Sequence, residues 1–387
     1  MTWPTAPLGE VAPAKPLRNT DVTDDASVWQ VTLDHIESDT GLLLQKNVRP
    51  YGDAGSSTHW FDDRHVLYSK LRPYLNKVLL PDELGLGTTE LVPLCPVYDT
   101  LDRKYLAYYL RSKKFVNWVS GQIAGAKMPR VSMKVFWGHE IPLPPLKEQK
   151  RIVAILDKAD AIRRKRQQAI QLADEFLRSV FLDMFGDPGT NPNNWPMGTI
   201  RELAADVRYG SSSKAGAKGK FPILRMNNIT YTGSWNFGDL KFIDLSEKDQ
   251  SKYLVHQGEI LFNRTNSKEL VGKTAVYREA TPMAFAGYLI RVRTNELANS
   301  EYISAYLNSR HGKLTLESMC KNIVGMANIN AQEMQDIVIA IPPRKLQDRY
   351  AGIVHRTLEH RSKQVQADNS ANKLFGSLSQ GAFRGDI

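Results

Sequence analysis

Three short segments of the sequence come close to motifs that carry out chemistry, but each lacks a residue that its motif requires. The Gly-Lys-Thr at residues 272–274 matches the end of a phosphate-binding loop, yet the required earlier glycine is replaced by Ser267. The Asn-Pro-Asn-Asn at 191–194 lacks the second proline and the aromatic ring that stacks on a flipped adenine. The Glu-Gln-Lys at 148–150 has no Pro-Asp partner, and the eight histidines show no metal-ligand spacing. The sequence therefore predicts a chain with no catalytic residues, no metal site and no bound cofactor.

Polar side chains that suit contacts with DNA follow two apolar segments, at residues 66–68 and 260–262. Arginine and lysine pair with guanine edges, asparagine pairs with adenine, and serine or threonine binds phosphates. The candidate DNA-binding residues in these two loops are Ser69, Lys70, Arg72, Asn263, Arg264, Asn266 and Lys268. Any one of them could instead belong to an ordinary solvated loop, but the recurrence favours DNA contact for the loops. Contact with phosphate is slightly favoured over contact with bases. A loop that recurs in both halves is better suited to positioning the protein on DNA than to reading two different half-sites.

Three further segments are weaker candidates for the same role. They contribute Ser212 and Lys214 in the basic loop 211–220, Arg225 and Asn227 at 225–228, and Lys127 and Arg130 in the Gly-containing turn 125–130. That turn matches a second one at 325–328, and a simple turn before a strand explains both equally well. The basic cluster at 163–166 lies in the middle of a predicted helix, where a solvated face or a partner contact is expected.

The composition favours a polyanionic partner. The chain has 387 residues, with 51 Lys+Arg against 41 Asp+Glu, a net charge of +10 and a pI near 9.4. Each basic side chain that neutralises a phosphate releases condensed counterions. Cys95 and Cys320 lie far apart, which fits a reducing compartment. The sequence begins without a signal-peptide pattern and has no apolar run long enough to span a membrane, so a cytoplasmic location is expected.

The chain repeats itself at about half its length. The sequence Ile-Pro-Leu-Pro-Pro-Leu-Lys-Glu-Gln at 141–149 returns as Ile-Ala-Ile-Pro-Pro-Arg-Lys-Leu-Gln at 339–347, an offset of 198. Further matches are Phe185 with Phe383, 3–4 with 195–196, 66–70 with 260–264, and 109–112 with 306–309. A repeat of this size indicates a duplicated domain. Each copy is predicted to be a strand-rich domain, followed by a Pro-Pro turn and a long polar helix.

The two long helices are the clearest elements. Apolar residues recur at spacings of three and four from Ile152 to Met184, a pattern typical of a coiled-coil seam. The prolines at 144–145 suit a helix start, and the Gly-Asp-Pro-Gly at 186–189 suits its end. About 40 residues at 1.5 Å each give a rod of roughly 60 Å. The second helix has a weaker seam over 346–378, and we expect the two helices to pack together antiparallel.

The whole chain resembles the specificity subunit of type I restriction–modification enzymes. The stretch IPLPPLKEQKRIVAILD at 141–157 with its second copy at 339–355, and the paired segments VLYSKLRP and ILFNRTNS, carry the resemblance. It implies two target-recognition domains that each read one half of a bipartite DNA site. It also implies that the helices act as a spacer and as the dock for two modification subunits, which carry S-adenosylmethionine and methylate adenine. Two restriction subunits, which use ATP, are further expected partners.

The expected fold is therefore α+β, with two pseudo-symmetric strand-rich domains separated by long helices that pack as an antiparallel coiled coil. The predicted bounds are 1–143 for the first target-recognition domain, 144–186 for the central helix, 190–341 for the second domain and 342–387 for the last helix. The alternative function is a non-catalytic scaffold whose duplicated domains bind protein partners. Sequence-specific DNA binding that depends on a methyltransferase partner separates the two interpretations.

Overall fold

The computed structural model describes residues 3–18, 21–125, 127–320 and 326–386. The chain divides into two compact units: unit 1 comprises Met1–Gln168 with Val365–Ile387, and unit 2 comprises Ala169–Gln364. The two long helices, α5 (Leu146–Phe185) and α11 (Arg344–Arg384), each contribute a part to both units. The predicted bounds of the two target-recognition domains, 1–143 and 190–341, and of the two long helices, 144–186 and 342–387, stay a prediction.

Unit 1 is built mainly of short strands. They are β1 (Thr5–Pro7), β2 (Ser27–Val31), β3 (Val48–Pro50), β4 (Thr58–Phe61), β5 (Val66–Ser69), β6 (Val78–Leu79), β7 (Gly85–Thr88), β8 (Leu91–Leu94), β9 (Ile123–Ala124), β10 (Arg130–Val131) and β11 (Glu140–Pro142). Its shorter helices are α1 (Leu8–Val11), α2 (Arg103–Arg111), α3 (Lys113–Ser120) and α4 (Met133–Trp137). The strands form the sheets β3-β2-β7-β4 and β6-β5-β8 and the pairs β1-β11 and β9-β10.

Unit 2 has the same kind of architecture. Its strands are β12 (Met197–Thr199), β13 (Ala204–Tyr209), β14 (Phe221–Leu224), β15 (Lys241–Ile243), β16 (Leu254–Val255), β17 (Ile260–Asn263), β18 (Thr265–Asn266), β19 (Thr274–Val276), β20 (Met283–Phe285), β21 (Leu289–Thr294), β22 (Ala327–Asn328) and β23 (Val338–Ala340). Its shorter helices are α6 (Ile200–Leu203), α7 (Glu247–Tyr253), α8 (Ser300–Asn308), α9 (Arg310–Met319) and α10 (Ala331–Gln335). The sheets are β13-β21-β17-β19 and β15-β14-β20-β16, with the pairs β12-β23 and β18-β22.

The strand pairings repeat from one unit to the other. In unit 1 the first and last strands pair antiparallel with Ala6 opposite Ile141, and in unit 2 Gly198 lies opposite Ile339. Each unit also has one four-stranded sheet with a single parallel pair at its centre, β2 with β7 and β14 with β20. The predicted duplication and the mixed, strand-rich fold of both domains are confirmed.

The long helices close the core of each unit from opposite ends. In unit 1, Ile152 and Leu156 near the start of α5 belong to the same buried cluster as Phe383 near the end of α11. In unit 2, Phe185 at the end of α5 packs 5.5 Å from the ring of Tyr350 near the start of α11. Within each unit the two helices therefore run in opposite directions, as the sequence predicts. The apolar face of each long helix packs against the strand-rich domain of the unit as well as against the other long helix.

A buried glutamine fixes the start of each long helix. The side-chain carbonyl of Gln149 accepts a hydrogen bond from the backbone N–H of Asp102 at 2.7 Å, and its amide donates to the backbone oxygens of Thr100 and Pro144. Gln347 makes the matching set of bonds in unit 2. Both side chains are fully buried. This bonding explains why glutamine is kept in both copies of the repeat.

Gln149→Leu is expected to lower the free energy of unfolding by about 1–3 kcal/mol, because it leaves buried backbone groups without partners. Chemical denaturation of the full chain measures the change as a shift of the unfolding midpoint at unchanged slope. Lys150→Leu, which alters the exposed neighbouring residue, is the control and should change stability little. Equal effects of the two substitutions would contradict the role assigned to the glutamine.

Candidate nucleic-acid interface

In unit 2 the loop predicted to contact DNA lies beside the second Gly-containing turn. The loop follows β17, and its short strand β18 pairs with β22, so that Thr265 faces Asn328. The backbone oxygen of Arg264 accepts a hydrogen bond from the N–H of Ile329 at 2.9 Å. Two segments that are about sixty residues apart in the sequence are thus joined on one surface. Gly325 of this turn lies outside the described residues.

Unit 1 joins the corresponding segments in the same way. The N–H of Arg72 donates to the backbone oxygen of Pro129 at 2.8 Å, and the N–H of Val131 donates to that of Lys70 at 3.1 Å. The loop after β5 is therefore held against the turn that precedes β10. Ala126, within that turn, lies outside the described residues. The sequence offered both segments as separate candidates, and the fold brings them together in both units.

Arg264 is held at this surface by two neighbours. Its guanidinium carbon lies 4.8 Å from the centre of the Tyr209 ring, and its Nε donates to Oδ1 of Asn328 at 3.2 Å. The hydroxyl of Tyr209 accepts a hydrogen bond from the N–H of Ala331 at 2.8 Å, which fixes the ring. In the described part of the chain the terminal amino nitrogens of Arg264 make no hydrogen bond. A guanidinium ordered in this way can bind a guanine edge or a phosphate with little further loss of side-chain freedom.

If the chain assembles with a methyltransferase on DNA, as the resemblance implies, Arg264→Ala is expected to weaken the binding of that complex to DNA by about 1–3 kcal/mol. If the guanidinium reads a base, preference relaxes at one position of the site. If it binds phosphate, affinity falls evenly on all duplexes. The slope of the logarithm of affinity against the logarithm of salt concentration then becomes shallower by about one. Titrations with matched and single-base variant duplexes at several salt concentrations distinguish these results.

Lys248→Ala, which removes one positive charge from the exposed face of α7, is the control for a general charge effect. It should leave affinity and base preference nearly unchanged. Equal losses for the two variants would mean that Arg264 acts through net charge. Unchanged binding of the Arg264 variant on every duplex would remove this loop from the DNA interface.

The burial of two residues contradicts the prediction that their side chains contact DNA. Ser69 is 2% exposed, and its hydroxyl donates to the backbone oxygen of Leu71 at 2.7 Å. Asn263 is 0% exposed, and its backbone groups are bonded to those of Gly272 and Lys273. Because neither side chain reaches the surface, neither can touch DNA in this conformation. Both shape the loops from inside.

Three other predicted contact residues are engaged in ion pairs or polar contacts within their own unit. Arg130 binds both carboxylate oxygens of Glu90, and this hydrogen bonding lowers the pKa of the Glu90 carboxyl below its ordinary value. Arg225 lies 2.8 Å from a carboxylate oxygen of Asp239, which also accepts a bond from the Asn227 amide. Contact with DNA would require these side chains to share or exchange partners, so they are weaker candidates than Arg264.

The remaining candidates reach the surface. The exposed ones are Arg72, Lys127, Ser212, Lys214 and Lys268, and the partly exposed ones are Lys70 and Asn266. Lys268 lies 4.0 Å from the exposed carboxylate of Glu317, a contact of little energetic weight in water. Their role as DNA contacts stays a prediction.

The two units place different side chains on one backbone framework. The N–H of Lys70 donates to the backbone oxygen of Glu90, and that of Arg264 donates to Tyr288, at 3.0 Å in both units. The resulting equivalent triplets are Lys70, Glu90 and Arg130 in unit 1, and Arg264, Tyr288 and Asn328 in unit 2. One triplet is charged throughout, whereas the other combines a cation, a phenol and an amide. A shared framework with different hydrogen-bonding groups is able to bind two different chemical patterns.

Three residues of this surface were missing from the sequence-based candidates: Tyr209, Tyr288 and Asn328. Asn328 falls opposite Arg130 at the repeat offset of 198, so the repeat itself contained the signal for it. Tyr209 and Tyr288 are both exposed aromatic residues. No local pattern marks them, because they reach Arg264 through the pairing of distant strands.

No metal site or membrane helix is found within the described ranges. No group of three or more His, Cys, Asp or Glu side chains there is arranged to hold a metal ion. None of the helices in the described part of the chain is long and apolar enough to cross a membrane.

Comparison with protein families gives one match that covers most of the chain. The family described as the type I restriction modification DNA specificity domain matches residues 89–172 and 192–366. The chain is 26% identical over 303 residues to the type I restriction enzyme EcoKI specificity subunit of Escherichia coli K12. It is 25% identical over 303 residues to the StySPI specificity subunit of Salmonella potsdam. Both matches cover 73% of this chain and 65% of the relative, so this chain spans slightly less than two thirds of their length.

Two solved structures have a similar fold. One is a chain from a study of complex assembly and conformational transition of the type I R-M system, with a TM-score of 0.59 and 18% identity over 100% of this chain and 98% of that one. The other is the S subunit of a type I restriction–modification system from M. genitalium. Its TM-score is 0.59 and its identity 14%, over 98% of this chain and 96% of that one. At these identities the likeness concerns the fold.

Proposed function

Since the chain belongs to the family of type I restriction–modification specificity subunits, we propose that it reads a bipartite DNA site, with one half-site read by each unit. The proposal extends to partners: two modification subunits that bind S-adenosylmethionine and methylate the site, and restriction subunits that use ATP. The chain itself would then supply no catalytic group and bind no cofactor.

The observation that carries this proposal is the shared backbone framework with different side chains. A subunit that reads two unlike half-sites needs a backbone surface of the same shape in each unit, because both half-sites belong to the same duplex. It also needs different donors and acceptors at that approach, because each base pair presents its own pattern in the major groove. The triplets around Lys70 and Arg264 meet both requirements, and the net charge of +10 favours binding to phosphates.

Docking of modification subunits is supported by apolar side chains on the exposed faces of the long helices. In unit 2, Leu172 and Phe176 lie one turn apart on α5 with exposed fractions of 52% and 50%. In unit 1, Ile162 on α5 and Leu374 on α11 are also exposed. Neighbouring apolar side chains on a polar helix are typical of a protein contact. We propose that the modification subunits cover these residues.

The methylome of cells that carry this gene together with a modification subunit tests the proposal. We expect one bipartite, asymmetric motif to be methylated, and no such motif in cells that carry the modification subunit alone. Binding of the purified complex to duplexes with and without the motif provides the matching affinity measurement. A methylome that is unchanged by this chain, together with stable binding of protein partners, would favour the scaffold alternative.

A further inference from the structure

In unit 1 the side chains of Arg130 and Glu90 form a partly exposed pair beside the loop predicted to contact DNA. The Nε of Arg130 donates to both carboxylate oxygens at 3.1 Å, and its Nη2 donates to Oε1 at 2.7 Å. The exposed fractions of the two side chains are 41% for Arg130 and 24% for Glu90. Lys70 fixes the place of the pair, because its N–H donates to the backbone oxygen of Glu90 and its own oxygen accepts from the N–H of Val131. The pair therefore lies on the same surface as the loop.

This pairing leaves one edge of the guanidinium free. A guanidinium can donate two parallel hydrogen bonds from the edge formed by Nε and one terminal nitrogen, or from the edge formed by its two terminal nitrogens. Glu90 occupies the first edge of Arg130. Among the residues that the structure describes, none accepts a hydrogen bond from Nη1. The second edge can therefore donate to two neighbouring acceptors, and its direction is set by Glu90.

The carboxylate of Glu90 can accept a further hydrogen bond. Each carboxylate oxygen has two lone pairs, and Oε2 accepts a single bond, from the Nε of Arg130. The hydrogen bonds from Arg130 lower the pKa of the Glu90 carboxyl below its ordinary value, so the group stays ionised and acts only as an acceptor. The two side chains together thus present two donors followed by an acceptor.

Unit 2 has a different set of groups at the equivalent place. Tyr288 stands at the position of Glu90, so no carboxylate is present at that position. The Oδ1 of Asn328 accepts hydrogen bonds from the Nε of Arg264 at 3.2 Å and from the hydroxyl of Thr265 at 2.8 Å. Because a guanidinium can only donate, the first of these bonds fixes the amide and leaves its Nδ2, a donor, for other contacts. The sequence of two donors and an ionised acceptor is therefore particular to unit 1.

We propose that Arg130 and Glu90 together read one G·C base pair in the half-site of unit 1. The free edge of Arg130 donates to N7 and O6 of guanine, and a carboxylate oxygen of Glu90 accepts from the amino group of the paired cytosine. Across the major groove a G·C pair presents acceptor, acceptor and donor in that order, which matches the two side chains. An A·T pair presents acceptor, donor and acceptor, and its central amino group would face a donor of Arg130. This inference rests on the proposed DNA reading and names the base pair that one unit recognises.

Binding of the full chain, assembled with a modification subunit, to duplexes that carry each single-base change of its motif tests the inference. For the wild-type complex we expect affinity to fall on the order of tenfold when this G·C pair is replaced. Glu90→Gln should remove most of that discrimination, because the neutral amide neither holds both nitrogens of Arg130 nor presents an ionised acceptor. Discrimination at the other positions of the motif should be unchanged. Arg130→Lys should relax the same position, because an ammonium group cannot donate two parallel bonds.

A matched control is present in the same unit. Glu83 forms a partly exposed ion pair with Lys46 at 2.9 Å, and Glu83→Gln should leave every base preference unaltered. If Glu90→Gln or Arg130→Lys folds and keeps full discrimination at every position, or if the relaxed position is an A·T pair, the inference is overturned and the proposed DNA reading stands. A wild-type complex that binds all duplexes alike would overturn the proposed function itself.

Discussion

Exchange of residues 190–341 for the corresponding segment of another family member is expected to change one half of the methylated DNA motif and to leave the other half unaltered. The two ends of this segment meet in the fold, because β12 pairs with β23 and Met197 lies opposite Ala340. Among the described residues, the main buried cluster of unit 1 contains none from this segment. The exchange therefore replaces one reading surface without disturbing the core that supports the other.

Methylome sequencing of cells with the exchanged chain and the same modification subunit measures this result. Exchange of the segment for that of a relative with the same second half-site is the control, and it should leave the whole motif unaltered. Changes in both halves would mean that the units read DNA jointly. An unaltered motif after exchange between relatives with different half-sites would mean that the specificity lies outside this segment.

The double substitution of Leu172 and Phe176 by aspartate is expected to abolish stable binding of a modification subunit on this part of α5. Burial of the exposed half of each apolar side chain contributes about 1 kcal/mol, and a buried carboxylate without a partner costs several more. Together these terms correspond to a loss of more than about a thousandfold in affinity. Co-purification with the modification subunit and native mass spectrometry measure the loss.

A matched control is available on the same helix. Gln167 and Gln171 have the same four-residue spacing, are also exposed, and lie on a neighbouring face of α5. Their replacement by aspartate adds the same charge but removes no apolar surface, so binding should be nearly normal. If both double variants lose the partner equally, charge is responsible. If neither does, the modification subunit docks elsewhere.

The sequence was sufficient for the features that are local or repeated. The Pro-Pro turns predicted both long helices, which begin at Leu146 and Arg344, within a few residues. The recurrence of an apolar segment followed by polar residues identified the two loops, and β5 and β17 end at those loops as expected. These successes depend on helix periodicity, on proline geometry and on comparison of one half with the other.

The side-chain environment of the loops was beyond the sequence. Ser69 and Asn263 are buried because they end β5 and β17, strands that have a neighbour on both sides in their sheets. The pairing of Arg130 with Glu90 joins residues forty positions apart. Such contacts depend on which strands become neighbours, and the sequence pattern leaves that order open. For the same reason Tyr209, which supports Arg264 from another strand, was not recognised.

The last helix, α11, contributes residues to both units, and this sets the order in which the two units can finish folding during synthesis. Unit 2 is one continuous stretch, Ala169–Gln364, and all of its parts are available once that stretch has left the ribosome. The core of unit 1 includes Ala382 and Phe383, and the indole N–H of Trp3 donates to the backbone oxygen of Ala382 at 2.9 Å. Domains usually fold in the order of their synthesis. Here the unit that emerges first can close its core only after the other unit has been made.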